Sequence, residues 1–204
     1  MTQQAYIVDD DEAIRDSLSW LLQSRGVANL TYPSAEAFLD AWTPALAGCL
    51  LLDIRMQGMS GTELFEQLLE RGSRLPVIFL TGHGDVPMAV SSLKNGAFDF
   101  VEKPCNDNDL VDRVLEALKL DKARCAAAAT ADSVNAQISQ LTTRERQVMA
   151  LVLAGKLNKV IADELQISMR TVEVHRASLF EKMEVRTAVE LAQKLAASSG
   201  KPAV

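Results

Sequence analysis

Short apolar runs alternate with stretches of helical spacing over the first 120 or so residues of the chain. The runs have the length and composition of buried parallel strands, and they span residues 5–8, 27–32, 49–53, 77–80 and 98–101. Each is followed by apolar residues that share one helical face, as Ile14, Leu18 and Leu21 do after the first run. Five strand–helix alternations predict an α/β domain with a flavodoxin-like (βα)5 doubly wound parallel sheet.

Polar residues of complementary chemistry stand where four of these strands end. They are Asp9 and Asp10 after the first run, Asp53 at the end of the third, Thr81 after the fourth and Lys103 after the fifth. A single aspartate at the end of a strand is usually a loop residue without a functional role. Polar residues of complementary chemistry at four strand ends favour a binding or catalytic site. Ligands of doubly wound sheets bind beyond the carboxyl ends of the strands, at the switch point between strands 1 and 3 in the flavodoxin-like order. The pattern therefore predicts an acidic pocket there.

The chemistry of this pocket favours phosphoryl transfer. Crowded carboxylates attract a hard divalent cation, and Mg²⁺ needs few of them because it keeps several water ligands. An aspartate carboxylate beside such an ion can attack phosphorus and form an acyl phosphate. Lys103 would neutralise charge on the phosphoryl group, and Thr81 would donate a hydrogen bond to one of its oxygens. These residues suffice for phosphoryl transfer to Asp53.

A second pattern begins near residue 141, where Thr142 and Glu145 have the spacing of a capping box. A helix at about 159–166, a turn at 167–169 and a further helix predict a helix-turn-helix, whose second helix enters the major groove of DNA. The exposed face of that helix is predicted to hold Arg170, Thr171, Glu173, Val174, His175, Arg176 and Ala177. The alternative is an ordinary four-helix bundle with a solvated charged face.

The segment between the two patterns, KLDKARCAAAATADSVNAQ, contains no glycine and no proline. Its alanine-rich run favours helix, so we expect the fifth helix to extend and then to give way to a looser linker. The predicted parts are a phosphoacceptor domain at 1–120, a helical, alanine-rich linker at 121–139, and a smaller all-α four-helix domain at 140–204.

Charge also separates the two parts. Residues 1–136 contain 11 Lys and Arg against 20 Asp and Glu, net −9, whereas 137–204 contain 10 against 7, net +3. The acidic part suits a cation site, and the basic part suits a phosphate backbone. The apolar runs are far shorter than the ~20 residues of a membrane span, and the N-terminus lacks a signal pattern, so we expect a cytoplasmic protein without membrane contact. The three cysteines lack metal-ligand spacing and are expected to be reduced thiols.

The strings VDDDEAIR, LLLDIRMQGMSG, FLTGHGDVPMAV and DFVEKP together resemble the receiver domain of two-component response regulators, and TGHGDVPMAV resembles the FixJ group in particular. The resemblance covers about residues 3–120. It implies that Asp53 is the phosphoacceptor and that Asp10, Asp53 and the backbone carbonyl of Arg55 bind Mg²⁺. Asp9 would act chiefly through water.

The same resemblance implies a conformational switch. Thr81 and Lys103 would contact the phosphoryl group, Phe100 would rotate as Thr81 moves, and Lys103–Pro104 would be a cis peptide. Gln57 stands where the family usually has proline. This difference bears on the shape of the loop after the acceptor and leaves the chemistry unchanged.

The string LTTRERQVMALVLAGKLNKVIADELQISMRTVEVHRASLFEKMEV resembles the LuxR-type DNA-binding domain that completes FixJ and NarL regulators. The match spans roughly 140–200 and includes a fourth helix, at about 187–197, which the family uses for dimerisation. The resemblance implies that the DNA backbone is held chiefly by Asn158, Lys159, Thr171, His175 and Arg176. It implies that the base edges are faced by Glu173, Val174 and Ala177.

These patterns predict a phosphorylation-controlled transcription regulator and no enzyme. A sensor histidine kinase would phosphorylate Asp53, receivers would pair into a homodimer, and the DNA-binding domains would engage a promoter with two half-sites. We expect activation of transcription, with RNA polymerase as a partner.

Two alternatives stay open. The first is a regulator that binds DNA without phosphorylation, which an Asp53→Asn variant as active as the parent would indicate. The second is a Mg²⁺-dependent phosphatase with an aspartyl-phosphate intermediate, which turnover of small phosphate esters would indicate. The absence of a second acid at Arg55 argues against the phosphatase.

Overall fold

The computed structural model describes residues 3–82 and 86–198, with the backbone alone for 86–89. The chain divides into two compact units, Met1–Cys125 and Ala126–Val204, and each is described by itself. No helix within the described ranges is long and apolar enough to cross a bilayer.

The first unit is a five-stranded parallel sheet with helices between the strands. Its elements are β1 (Gln4–Val8), α1 (Glu12–Ser24), β2 (Asn29–Tyr32), α2 (Ala35–Ala41), β3 (Gly48–Asp53), α3 (Gly61–Glu70), β4 (Val77–Thr81), α4 (Val86–Lys94), β5 (Asp99–Glu102) and the start of α5 (Asp107–Ser139). The strand order β2-β1-β3-β4-β5 confirms the flavodoxin-like sheet. It also confirms that the order reverses between β1 and β3, where the acidic pocket is predicted.

The central strand β3 explains why the sheet needs cover on both faces. All six of its residues are buried. Successive side chains point to opposite faces, so Cys49 and Leu51 pack in one core cluster whereas Leu50 and Leu52 pack in the other. Because the strands are parallel, their carboxyl ends meet at one edge, where Asp53 pairs with Leu80 of β4.

The spacing of apolar residues along α3 and α5 predicts that Leu69 and Leu115 face the core, but both side chains are half-exposed. Leu69 of α3 is 41% exposed and Leu115 of α5 is 38% exposed, whereas Phe65 and Ala117 are buried in their place. Each exposed leucine lies five residues after the first buried leucine of its helix, Leu64 or Leu110, which is about 140° around the helix. The buried arc spans only about 100°, so both leucines fall on its border.

The second unit contains four helices after α5 among the residues described. They are α6 (Thr143–Leu153), α7 (Asn158–Leu165), α8 (Met169–Lys182) and α9 (Ala188–Ser198), and their buried core includes Val148, Val152, Ile161, Val172, Leu179, Met183 and Leu191. The capping box of Thr142 and Glu145 is present. Helix α8 begins at Met169, which we had placed in the turn, because the Ser168 hydroxyl accepts the N–H of Thr171 at 3.1 Å and caps it.

Helix α5 runs without interruption from Asp107 to Ser139, so the expected looser linker is wrong. Alanine has the highest helix propensity, and 119–137 contains no glycine or proline to end the helix. Near its end, Val134 is buried in the core of the second unit. The division between the two units falls inside this helix.

Candidate functional site

A lysine joins two carboxylates at the carboxyl edge of the sheet. Lys103, which follows β5, places its Nζ 2.8 Å from Asp9 Oδ2 and 2.5 Å from Asp53 Oδ1. The Asp9 side chain is 1% exposed and that of Asp53 is 11% exposed. The strand ends of β1, β3 and β5 therefore converge on one buried ion-pair network, as the pattern of polar residues predicts.

Burial and ion pairing act against each other on these charges. Burial raises the pKa of Asp53, and the hydrogen bond from Lys103 offsets this only in part. For Lys103, burial lowers the pKa, but hydrogen bonds to Asp53 and Asp9 outweigh it, so the net pKa is raised. Lys103 is therefore a firmly charged ammonium beside the candidate acceptor.

The loop after β3 lies close to the acceptor. Gly61 begins α3 where a Cβ would come within 2.0 Å of the Asp53 carbonyl oxygen, so no larger residue fits there. Asp10 is tied to this loop, because its Oδ2 accepts the backbone N–H of Gln57 at 3.0 Å. Asp9 is oriented by a second bond, in which its Oδ1 accepts the N–H of Asp11 at 3.0 Å.

Other predicted residues lie at the same edge with different contacts. The hydroxyl of Thr81, at the end of β4, donates to the carbonyl of Gly82 at 3.1 Å. Phe100 is partly buried against the core cluster on one face of the sheet. The backbone of Arg55 donates to the Asp53 carboxylate, which lowers the pKa of Asp53. The cis peptide between Lys103 and Pro104 is present as predicted.

The oxygen donors of this pocket fit Mg²⁺. Among the side chains described, no three of His, Cys, Asp or Glu lie close enough together to hold an ion between them. Mg²⁺ is the exception to that requirement, because one or two carboxylates and several waters satisfy it. Asp10 follows β1 and Asp53 ends β3, and because these two strands pair in the sheet, the two residues supply such a pair.

Helix α8 carries the second candidate surface. Arg170, Glu173, Val174 and Ala177 are exposed, whereas Thr171, His175 and Arg176 are half-buried. Val174 is 58% exposed, so its apolar side chain is accessible to a partner. The exposed set contains all three residues that the resemblance directs to base edges.

Arg176 is held in place by neighbours on two helices. Its Nη1 donates to Asn158 Oδ1 at 2.8 Å, and its guanidinium carbon lies 5.4 Å from the ring centre of Phe180. Arg170 is 88% exposed and lies 4.0 Å from Glu173. Lys159, in the first turn of α7, is exposed. Cations and hydrogen-bond donors therefore border the exposed part of α8, an arrangement suited to a phosphate backbone.

Comparison with protein families identifies the class of protein to which the chain belongs. Residues 5–115 match the response regulator receiver domain, and residues 139–195 match the luxR family of bacterial regulatory proteins. The chain is a two-component response regulator of the FixJ type. Response regulators of this kind pair with a sensor kinase and bind DNA through the luxR-family domain, so the chain functions in phosphorylation-controlled regulation of transcription.

Relatives and solved structures support this assignment over nearly the whole response regulator. The C4-dicarboxylate transport transcriptional regulatory protein DctR of Rhodobacter capsulatus is 51% identical, over 95% of this chain and 99% of its own. The transcriptional regulatory protein FixJ of Bradyrhizobium diazoefficiens is 42% identical over 91% of both. The structure of the response regulator StyR superposes with a TM-score of 0.89 at 40% identity, covering 96% of this chain and 98% of that one.

Two contacts in the response regulator carry no signal in the sequence. The backbone N–H of Gln57 donates a hydrogen bond to Asp10, and the glutamine side chain gives no reason to expect this bond. Glu145, predicted only as part of a capping box, also forms a partly buried ion pair with Lys182. These partners are 47 and 37 residues apart, so helical or strand spacing does not relate them. By contrast, the contact between Arg176 and the ring of Phe180 could have been predicted from the sequence, because the two residues are four apart on one helix.

Proposed function

We propose that Asp53 accepts a phosphoryl group from a sensor histidine kinase and that the product controls dimerisation and promoter binding. The observation that carries this proposal is the ammonium of Lys103 2.5 Å from Asp53 Oδ1 at the switch point of the sheet. A fixed cation there stabilises negative charge that develops during transfer.

The transfer is an in-line displacement at phosphorus. A carboxylate oxygen of Asp53 forms a bond to phosphorus as the bond from phosphorus to the kinase histidine nitrogen breaks, and the electron pair leaves with the imidazole. The Lys103 ammonium then faces a phosphoryl group in addition to a carboxylate. Thr81 gives up its hydrogen bond to Gly82 and donates to a phosphoryl oxygen, and Phe100 moves toward the space that Thr81 leaves.

Asp10, Asp53 and the backbone carbonyl of Arg55 would hold Mg²⁺, with Asp9 acting through water. When bound, the ion neutralises phosphoryl oxygens and draws the phosphodonor to the acceptor. The residues of the chain supply the rest: Lys103 neutralises charge, and Asp9 orients Lys103 through the bond at 2.8 Å.

The test is the intact mass of the full-length protein after acetyl phosphate and Mg²⁺. We expect the parent to gain one phosphoryl group and Asp53→Asn to gain none. Asp11→Asn is the matched control, because Asp11 caps α1 and asparagine caps equally well. A phosphoryl group on Asp53→Asn, or none on a parent that still binds Mg²⁺, would favour a regulator that works without phosphorylation of this residue.

Phosphorylation would pair two receivers into a homodimer through the face that contains Phe100. Arg113 of α5 forms an ion pair with Asp99 of β5 on this face, and both side chains are partly exposed. The dimer would place two DNA-binding domains on two half-sites, activate transcription and contact RNA polymerase. Sedimentation with and without acetyl phosphate tests the pairing, and equal dimer content in the parent and Asp53→Asn would contradict it.

On α8, we propose that Glu173, Val174 and Ala177 face base edges. The DNA backbone would be held chiefly by Asn158, Lys159, Thr171, His175 and Arg176, and Arg170 would also contact DNA. The exposure of the first three residues and the placement of Arg176 by Asn158 support this division. Backbone contacts weaken binding to all sequences when removed, whereas base contacts change the preferred sequence. The test is to select the DNA sequences that a Val174→Ala variant binds best and to compare them with those of the parent. A changed preferred sequence would indicate a base contact, whereas an unchanged preference with weaker binding would indicate a backbone contact.

We propose no catalytic turnover beyond slow self-dephosphorylation. Arg55 stands two residues after the acceptor, where a second acid would be needed to activate water. The relatives named above are transcriptional regulators. Steady turnover of p-nitrophenyl phosphate by the parent and not by Asp53→Asn would contradict this and favour the phosphatase.

We also propose boundaries of 1–120 for the receiver, 121–139 for the linker and 140–204 for the DNA-binding domain. This linker lies within α5, and all of it except residue 139 falls between the two family matches, which end at 115 and begin at 139. Limited proteolysis tests the boundaries, since a stable receiver fragment should end within α5.

A further inference from the structure

Two carboxylates hold the loop between β3 and α3, one on either side of Gly58. Asp10 Oδ2 accepts the N–H of Gln57 at 3.0 Å, and Glu36 Oε1 accepts the N–H of Met59 at 2.8 Å. Hydrogen bonds from backbone N–H groups to carboxylates are charge-assisted and stronger than neutral ones. Gly58 has φ +82°, and a Cβ there would lie 2.8 Å from Glu36 Oε1, so the loop passes close against both acids.

The bond to Gln57 leaves Asp10 able to bind an ion. A carboxylate has two oxygens, and this hydrogen bond uses Oδ2. Mg²⁺ in its octahedral shell has room for one oxygen from each carboxylate beside its waters. Asp10 is a residue to which the proposed function assigns Mg²⁺, so this inference rests on that function.

The donor is a backbone group that a proline would not have. Proline carries no N–H because its ring closes on the backbone nitrogen. The side chain of Gln57 is exposed. The contact to Asp10 therefore depends on this residue being anything except proline, and it does not depend on the glutamine amide.

We propose that the backbone N–H of Gln57 positions Asp10 for Mg²⁺ binding. Its hydrogen bond to Oδ2 fixes the carboxylate so that the second oxygen, Oδ1, binds the ion. Partners that orient a metal ligand from outside the coordination shell typically change metal affinity by about 10–100-fold when they are lost. Glu36 holds the same loop through a different N–H, that of Met59, so its replacement tests the order of the loop separately from the orientation of Asp10.

Calorimetric titration of the full-length protein with Mg²⁺ tests this inference. We expect Gln57→Ala, which keeps the N–H, to bind within about twofold of the parent, and Gln57→Pro to bind about tenfold more weakly. Glu36→Ala should stay near the parent. Equal affinity of Gln57→Pro and the parent would overturn the inference, as would a loss in Gln57→Ala or Glu36→Ala as large as that in Gln57→Pro. A parent that binds no Mg²⁺ would instead overturn the metal site itself.

A second readout distinguishes metal affinity from a damaged loop. In phosphorylation by acetyl phosphate, Gln57→Pro should need about tenfold more Mg²⁺ for half-maximal rate and reach the rate of the parent at saturation. A lower rate at saturation with unchanged Mg²⁺ dependence would overturn the inference.

If Gln57→Pro does not fold, the amide proton of Gln57 in the parent provides the test by NMR. Its resonance should keep the hydrogen-bonded position at saturating Mg²⁺ and lose it in Asp10→Ala. A shift to the Asp10→Ala position on saturation would show that the N–H and the ion compete for the carboxylate, and would overturn the inference.

Discussion

Replacement of Glu145 by glutamine should destabilise the DNA-binding unit measurably at neutral pH. The Glu145 side chain is 5% exposed and accepts Lys182 Nζ at 2.7 Å and Ser178 Oγ at 2.7 Å. Desolvation opposes ionisation of this carboxyl, but the hydrogen bonds from Lys182, Ser178 and Thr142 outweigh it and lower its pKa from 4.5 to about 2.

The magnitude follows from that difference in pKa between the unfolded and folded states. At about 1.4 kcal/mol per tenfold change in proton affinity, ionised Glu145 stabilises the fold by at most about 3.5 kcal/mol. The ion pair lies near the surface of a small unit, where solvent screening reduces this to about 1–2 kcal/mol. Because the folded pKa is the lower one, the contribution is complete above pH 4.5 and disappears as the pH falls toward 2.

Urea unfolding of the full-length protein can follow each unit separately. Both tryptophans and both tyrosines, Trp20, Trp42, Tyr6 and Tyr32, lie in Met1–Cys125. Tryptophan fluorescence therefore reports the receiver alone, whereas far-ultraviolet circular dichroism reports the helices of both units. The transition seen only by circular dichroism belongs to the second unit.

We expect Glu145→Gln to lower the free energy of unfolding of the second unit by about 1–2 kcal/mol at pH 7 and by much less at pH 3. Glu181→Gln, an exposed glutamate on α8, is the matched control and should change stability by under about 0.5 kcal/mol. A Glu145→Gln effect equal to that of the control, or one of the same size at both pH values, would refute the reasoning.

Three further predictions test other parts of the molecule. Gly61→Ala should destabilise the receiver by about 3 kcal/mol, because its Cβ would lie 2.0 Å from the Asp53 carbonyl oxygen; an unchanged midpoint by tryptophan fluorescence would contradict this. Asp121→Ala should cost about 1–3 kcal/mol by the same measurement, since Asp121 accepts the buried N–H of Gly48 at 2.8 Å. Arg176→Ala should weaken DNA binding and leave dimerisation intact. The slope of the logarithm of the binding constant against the logarithm of salt concentration should fall by about one. Unchanged binding at matched salt would show that Arg176 holds no phosphate.

The sequence could predict the receiver pocket because each of its parts is encoded locally. Asp53 ends an apolar run, Lys103 follows another, and the parallel sheet brings strand ends together whatever the loops do. The capping box of Thr142 and Glu145 could be predicted for the same reason, since its two residues are three apart.

Contacts that depend on the packing of distant elements could not be predicted. Lys182 reaches Glu145 only because α6 and α8 cross at one distance and angle, which no spacing along the chain encodes. Gln57 contributes a backbone N–H, and every residue except proline has one. Leu69 is apolar, as core residues are, but it lies at the border of the apolar stripe of its helix. A small rotation of the helix decides whether a residue at that border is buried.

The ammonium of Lys103 between Asp9 and Asp53 also bears on how a newly synthesised chain matures. In small metalloproteins whose ligands have no other partner, metal uptake and folding are one event, and chelators unfold the protein. Here a cation that is part of the polypeptide already balances two of the acids. The nascent receiver can therefore complete its sheet before it meets magnesium, and EDTA should silence phosphorylation while leaving the chain folded and ready for the ion to return.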